Sequence, residues 1–104
     1  MKIQGKQEGP CLTVYLSGEL DHHAARQAMR EISRLIDDAL PRQCLLDLSG
    51  LSFMDSSGLA VILSTHRHMA ASGGSASVVN PPAQTRRVLE AAGIERLVQV
   101  IERK

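Results

Sequence analysis

The sequence predicts an α/β fold with a mixed, mostly parallel β-sheet and the element order β-β-α-β-α-β-α-β. Three observations support this order. Short strand-like apolar runs recur along the chain, amphipathic helical patterns separate the later runs, and turn or capping residues stand at the junctions. The length of 104 residues suits one domain, and we predict a single domain over residues 1–104.

The first two elements read as a β-hairpin. Residues 2–7 are weakly strand-like, and residues 8–10, Glu-Gly-Pro, are typical of a turn. Leu12, Val14 and Leu16 then alternate with polar or aromatic residues, which predicts a strand with one buried face.

A long amphipathic helix is predicted next. Asp21 is a suitable N-cap, because a carboxylate accepts hydrogen bonds from the free N–H groups of the first turn. Pro41 ends the helix. Apolar residues recur at spacings of three and four: Ala25, Ala28, Met29, Ile32, Leu35, Ile36, Ala39 and Leu40.

Residues 44–48 form an apolar run that predicts a central parallel strand covered on both faces. We predict a loop over residues 49–54 and a second helix after it. Residues 73–74, both glycine, end this helix. Its predicted apolar positions are Leu59, Ile62, Leu63, His66 and Met69 or Ala70.

The last part of the chain predicts a strand, a helix and a final strand. Residues 75–79 form the strand, and Asn80 is predicted to cap the third helix, with two prolines in its first turn. Gly93 is the predicted C-terminal cap, and residues 97–101 the last strand. The predicted apolar stripe of the third helix is Thr85, Val88, Leu89 and Ala92.

Composition excludes several classes of function. With 12 basic and 11 acidic residues the net charge is +1, and Tyr15 and Phe53 are the only aromatic residues. Nucleic-acid binding usually needs a basic face or aromatic stacking platforms, so we do not expect it. No apolar run reaches the roughly 20 residues that span a bilayer, and the polar N-terminus lacks a signal-peptide pattern. We therefore expect a cytoplasmic protein without membrane insertion. Cys11 and Cys44 are interpreted as free, packed thiols.

The junction at residues 52–60 carries the strongest functional signal. Asp55 stands where a helix N-cap belongs, and Ser56, Ser57 and Gly58 fall in the first turn. A helix start has free N–H groups and a partial positive charge, so it favours a phosphorylated hydroxyl. We interpret Ser56 as a switch serine, with Ser57 as the alternative phosphosite. Gly58 is interpreted as leaving the helix start open to a partner.

Two segments resemble the STAS domain family, and within it the anti-sigma factor antagonists, with a particular likeness to the sporulation type. They are Gly-Glu-Leu-Asp-His-His at residues 18–23 and Leu-Ser-Phe-Met-Asp-Ser-Ser-Gly-Leu-Ala-Val-Ile-Leu at residues 51–63. The resemblance covers nearly the whole chain. Ala60 stands where family members often have Gly, and the chain ends at Lys104 where many members continue into another helix.

The resemblance implies a binding protein that works without a cofactor. Its unphosphorylated form would bind an anti-sigma factor that is also a serine kinase and so release the sigma factor. The kinase would phosphorylate Ser56, and a serine phosphatase would reset the switch. The partner-binding residues would be Asp21, His22, His23, Met54, Asp55, Ser57 and Gly58. An alternative is the small STAS subunit of a lipid-transport ABC complex, or a stressosome-type scaffold.

An enzyme is not expected. Gly-x-Ser-x-Gly and a phosphate-binding loop are both absent from the sequence, and no His is placed to act as a base for Ser56. A metal site is not expected either, because His22 and His23 are adjacent and point in different directions on a helix. The sequence is compatible with a monomer or a weak dimer.

Overall fold

A computed structural model describes residues 1–103, so Lys104, the last residue of the predicted domain, lies outside the described residues. The elements follow the predicted order, which is confirmed, with one additional 3₁₀ turn before the last strand. They are β1 (Lys2–Glu8), β2 (Cys11–Leu20), α1 (His22–Ala39), β3 (Gln43–Met54), α2 (Ser56–Ala71), β4 (Ser75–Val79), α3 (Ala83–Ala92), the 3₁₀ turn (Ile94–Arg96) and β5 (Gln99–Ile101).

The strands form one mixed sheet in the spatial order β1-β2-β3-β4-β5. β1 and β2 are antiparallel and close the predicted hairpin, with Glu8 opposite Cys11 across the turn. Gly9 in that turn has a φ of 59°, a conformation that a residue with a Cβ rarely adopts. The other strand pairs are parallel.

The core packs the sheet against the helices α1 and α2, which lie side by side, and it also includes Leu89 of α3 and the later residues Ile94 and Val98. Strand register aligns its side chains in rows: Leu12 of β2 stands beside Cys44 of β3, and Val14 stands beside Leu46. The predicted α1 stripe is correct except for Leu40. That residue is 81% exposed because the chain turns left-handed there, at a φ of 48°, ahead of Pro41.

Strand β3 is longer than the sequence predicts. The loop predicted over residues 49–54 is wrong, because β3 continues to Met54 and pairs with β2 over that length. The register between the two strands shifts twice, between Tyr15 and Ser17 and between Gly18 and Glu19. Such irregularities break the strict alternation of buried and exposed residues. The sequence of residues 49–54 therefore lacks the alternating apolar pattern that predicts a strand.

The buried face of α2 is also corrected. Leu59, Leu63 and His66 of the predicted stripe are half-buried, and Ala70 is exposed. The helix is apolar over much of its circumference, and its packing against α1 and β4 selects the face. The fully buried residues are Gly58, Val61, Ile62, Thr65 and Met69.

The cap of α3 differs from the prediction. Asn80 does not cap the helix, which begins at Ala83 with Pro82 in the N-cap position and no side-chain cap. Asn80 instead has a φ of 51°, and its Oδ1 accepts a hydrogen bond from the Arg103 N–H at 2.7 Å. This contact ties the start of the β4–α3 connection to the residues after β5.

The C-terminal part of the chain is partly as predicted. Gly93 is the left-handed C-cap of α3, as expected, and Ile94 after it is buried. The last strand begins at Gln99 rather than Leu97, which is 59% exposed. Of the predicted α3 stripe, Thr85 and Leu89 are buried, Val88 is half-buried and Ala92 is exposed.

Candidate functional site

The two segments that carry the family resemblance meet at one edge of the sheet. β2 ends at Leu20 and β3 ends at Met54, and these two residues are paired in the parallel register. The Asp55 N–H donates to the Leu20 carbonyl at 3.4 Å. Because parallel strands end at the same edge, α1 and α2 both begin there. The N-cap regions of both helices are therefore neighbours.

Asp21 is the N-cap of α1, as the sequence predicts. Its Oδ1 accepts hydrogen bonds from the His23 N–H at 3.0 Å and from the Ala24 N–H at 3.1 Å. These bonds satisfy two of the free donors of the first turn. His22 and His23 are exposed, and the centroids of their rings lie 3.9 Å apart. Two imidazoles thus face solvent at the start of α1.

Asp55 is the N-cap of α2, again as predicted. Its Oδ1 accepts from the Ser57 N–H at 2.8 Å, and its backbone is extended, with a φ of −104°. Ser56 is the first residue of the helix and is exposed, whereas Ser57 is half-buried. The Ser56 hydroxyl is therefore displayed at the positive end of the α2 dipole. We refer to Asp21, His22, His23, Asp55, Ser56 and Ser57 as the switch surface.

Met54 and Gly58 do not belong to this surface. The sequence-based interpretation of both as partner-binding residues is therefore corrected. Met54 is fully buried at 0% exposure, and Gly58 is buried on the inner side of the first turn of α2. A Cβ on Gly58 would lie 2.3 Å from Met54 Cγ. Gly58 therefore makes room for the Met54 side chain inside the protein, and the Met54 side chain is not exposed at the surface.

Gln84 is a residue of the site that sequence reasoning missed. Its Oε1 accepts from the Met54 N–H at 3.0 Å, and its Nε2 donates to the Met54 carbonyl at 2.9 Å. One side chain of α3 thus pairs with both backbone groups of the residue where β3 ends. No local sequence pattern predicts this contact, because Gln84 and Met54 are 30 positions apart in the chain.

A shallow groove runs between α2 and α3 beside the switch surface. We call it the α2–α3 groove. Its walls are mostly apolar, with one guanidinium, that of Arg87. The residues lining it include Ser56 and Leu59 from α2 and Gln84, Arg87, Val88 and Ala91 from α3.

Other chemistry in the described part of the chain is limited. Within residues 1–103, no cluster of three His, Cys, Asp or Glu side chains stands close enough to hold a metal ion. Both cysteines are free. Burial, with a smaller effect of neighbouring Cys11, raises the pKa of the Cys44 thiol from its ordinary value of 9.0 to about 12. No helix in this range combines the length and apolarity that a membrane crossing requires.

Residues 2–103 match the family model described as the STAS domain, so the chain belongs to the STAS domain family. It is similar to two proteins named anti-sigma F factor antagonist. The one from Paenibacillus polymyxa is 34% identical over 104 residues, covering 98% of this chain and 87% of that protein. The one from Lysinibacillus sphaericus is 37% identical over 83 residues, covering 80% and 71%.

The fold is also that of the anti-sigma factor antagonist SpoIIAA. In its unphosphorylated form SpoIIAA matches this chain with a TM-score of 0.84 at 29% identity, covering 99% of this chain and 89% of that one. The phosphorylated Bacillus SpoIIAA matches with a TM-score of 0.76, covering 99% and 92%. The predicted resemblance is confirmed. These relatives are named as antagonists of anti-sigma factors and not as enzymes, which confirms the expectation that the chain is not an enzyme.

Proposed function

We propose that this chain is a cytoplasmic anti-sigma factor antagonist switched by phosphorylation of Ser56. Its unphosphorylated form binds an anti-sigma factor with serine kinase activity, and the sigma factor is released. The observation that carries the proposal is the exposed Ser56 hydroxyl on the first residue of α2, beside the N-cap of α1. The names of the relatives support the antagonist role, and the existence of a phosphorylated SpoIIAA supports a switch.

Exposure favours Ser56 over Ser57 as the phosphosite. A kinase must reach the hydroxyl, and Ser57 is half-buried, with its backbone N–H bonded to Asp55. In the proposed reaction the γ-phosphoryl group of ATP moves to Ser56 Oγ, and ADP and the hydroxyl proton leave. A serine phosphatase hydrolyses the phosphate ester and restores the binding form.

The fold tolerates the phosphate because of its position. Phosphorylation adds about −1.5 to −2 charges, and negative charge at a helix N-terminus is stabilising by about 0.3–1 kcal/mol. The free protein therefore keeps its structure.

A partner interface fitted to a neutral hydroxyl is affected differently. It would have to desolvate a dianion next to the Asp55 carboxylate, at a cost of several kcal/mol. Every 1.4 kcal/mol is a factor of ten in affinity, so a local charge change is enough to end binding. No refolding is needed.

The remaining residues of the switch surface are the proposed partner contacts. Asp21, His22 and His23 lie beside Asp55 because β2 and β3 end together. Both imidazoles are exposed, so a partner that covers Ser56 from this side also meets their rings.

The test uses the anti-sigma factor kinase of the host with ATP. The tryptic peptide of residues 43–67 contains Ser49, Ser52, Ser56, Ser57 and Ser64, so fragment-ion spectra must locate the phosphate. We expect it on Ser56, with no phosphorylation of Ser56→Ala and normal phosphorylation of the matched control Ser57→Ala. Phosphate on Ser57 alone would overturn the assignment.

Binding provides the second arm of the test. Ser56→Ala is expected to bind the anti-sigma factor and to keep binding after incubation with ATP. Ser56→Asp is expected to fold normally and to bind poorly, because it carries a permanent negative charge at the same place. Recovery of a transporter ATPase instead of a kinase from the native host would contradict the antagonist role.

A further inference from the structure

We propose that the phosphate on Ser56 is held by Arg87 of the same chain, across the α2–α3 groove, and that this ion pair closes the groove to a partner. The inference rests on the proposed phosphorylation of Ser56. It adds an acceptor for the phosphate and a second reason why the phosphorylated protein does not bind.

The position of Arg87 follows from the Gln84 contact. The Gln84 amide lies within 3.0 Å of both backbone groups of Met54, two residues before Ser56. Arg87 follows Gln84 by three residues on α3, so the two side chains lie on one helix face, about 5–6 Å apart at Cβ. Ser56 and Arg87 line the same groove. The guanidinium side chain and the hydroxyl thus belong to opposite walls of one groove.

The charge of Arg87 is available for this role. Within residues 1–103 Arg87 makes no ion pair, whereas its neighbour Arg86 is paired with Glu102. Arg87 is also exposed, so its side chain is free to turn toward a new charge. A guanidinium binds phosphate oxygens through two parallel hydrogen bonds, which makes Arg a frequent partner of phosphoserine.

Charged groups also stand at the starts of the two helices, and Glu19 lies opposite Phe53 near the end of β3. Asp55, the α2 N-cap, repels the phosphate, and Asp21 does so from the α1 N-cap. His22 and His23 attract it when protonated. Arg87 is the permanently positive side chain lining the groove. It therefore draws the phosphate toward α3 and away from both carboxylates.

The ion pair changes the shape of the surface as well as its charge. In the unphosphorylated protein the groove is an open apolar depression between Leu59 and Val88, next to the hydroxyl. A phosphate bridged to Arg87 spans this depression from α2 to α3. A partner side chain that enters the groove would then have to separate a phosphate–guanidinium pair.

The test places phosphoserine at position 56 of the full chain by nonsense suppression, so that no kinase is required. Phosphorus-31 NMR then follows the second pKa of the phosphate in four backgrounds: unsubstituted, Arg87→Gln, Arg87→Lys and Arg67→Gln. Arg67 is an exposed arginine of α2, eleven residues from Ser56, or about 16 Å along the helix. That distance exceeds the Debye length of about 8 Å at physiological salt, so Arg67 is the matched control.

We expect Arg87→Gln to raise the phosphate pKa by about half a unit or more, because a nearby positive charge stabilises the dianion. Arg87→Lys should leave most of the effect, and Arg67→Gln should leave the pKa unchanged. Circular dichroism of each variant confirms that it is folded. His22 and His23 are the same in all four backgrounds, so their contribution cancels in the comparison.

Equal phosphate pKa values in the unsubstituted and Arg87→Gln proteins would overturn the inference, as would equal shifts in Arg87→Gln and Arg67→Gln. Neither result would contradict the proposed function. The proposed function fails only if the kinase does not modify Ser56 or if the modification does not end binding. The two failures are therefore distinguishable.

Discussion

Gly58→Ala is expected to destabilise the protein even though alanine is the better helix former. The added Cβ would lie 2.3 Å from Met54 Cγ, 2.5 Å from Met54 Sδ and 3.2 Å from Leu20 Cδ2. Carbon atoms in good contact are about 3.5–4.0 Å apart, so the Met54 side chain must move by about 1 Å. Met54 and Leu20 are both fully buried, at 0% exposure.

Two opposing terms set the magnitude. Forcing an extra methyl group into a packed core costs about 1–3 kcal/mol. Replacing glycine by alanine inside a helix contributes up to about 1 kcal/mol in the other direction. The packing term is larger because two atoms of one confined side chain are displaced. We expect the free energy of unfolding to fall by about 1–2 kcal/mol, with a melting temperature roughly 5 °C lower or more.

Urea unfolding followed by circular dichroism measures this change, and a double-mutant cycle with Met54→Ala tests its cause. Met54→Ala alone should cost about 2–5 kcal/mol through the cavity that it leaves. In that background Gly58→Ala fills part of the cavity and should be neutral or stabilising. The cycle should therefore show a coupling of about 1–3 kcal/mol.

The refuting result is a Gly58→Ala protein as stable as the unsubstituted one but weaker in binding the proposed partner, an anti-sigma factor. Gly58 would then serve the approach of a partner, as the sequence alone suggests, and the packing explanation would be wrong. An equal loss of stability with and without the Met54 side chain would also contradict the collision.

Three further outcomes are expected. Gln84→Ala should lower the free energy of unfolding by about 1–3 kcal/mol, because two hydrogen bonds to the Met54 backbone are lost. A loss below about 0.5 kcal/mol in urea unfolding would show that water replaces the amide. Thr85→Val should raise the free energy of unfolding by about 1 kcal/mol, because the buried Thr85 hydroxyl has no hydrogen-bond partner within the described residues. The control is Thr65→Val, which loses a hydrogen bond to a backbone carbonyl and should show no gain in the same assay. Between pH 9.0 and about 12 the unfolded chain loses the Cys44 proton while the folded protein keeps it. The free energy of unfolding should therefore fall with rising pH by up to about 1.4 kcal/mol per pH unit. Cys44→Ala should reduce this slope when urea unfolding is measured at several pH values.

The parts of the molecule that the sequence predicts correctly depend on local signals. Asp21 and Asp55 are recognised as N-caps because a cap bonds only to the two or three residues that follow it. Gly93 ends α3 for an equally local reason, its left-handed backbone. The alternation of apolar and polar residues in β2 predicts one buried strand face, and the spacing of apolar residues in α1 predicts one buried helix face. These signals were enough for the element order and for the exposed position of Ser56 at a helix start.

The rest depends on residues far apart in the chain, and only the tertiary structure decides it. β3 extends to Met54 because β2 runs beside it with two register shifts. Gly58 is buried because the Met54 side chain lies under it, and Gln84 joins the site through a contact that spans 30 positions. Packing selects one face of an evenly apolar α2. Local sequence patterns do not predict such contacts, because each contact forms only when the whole fold brings its two residues together.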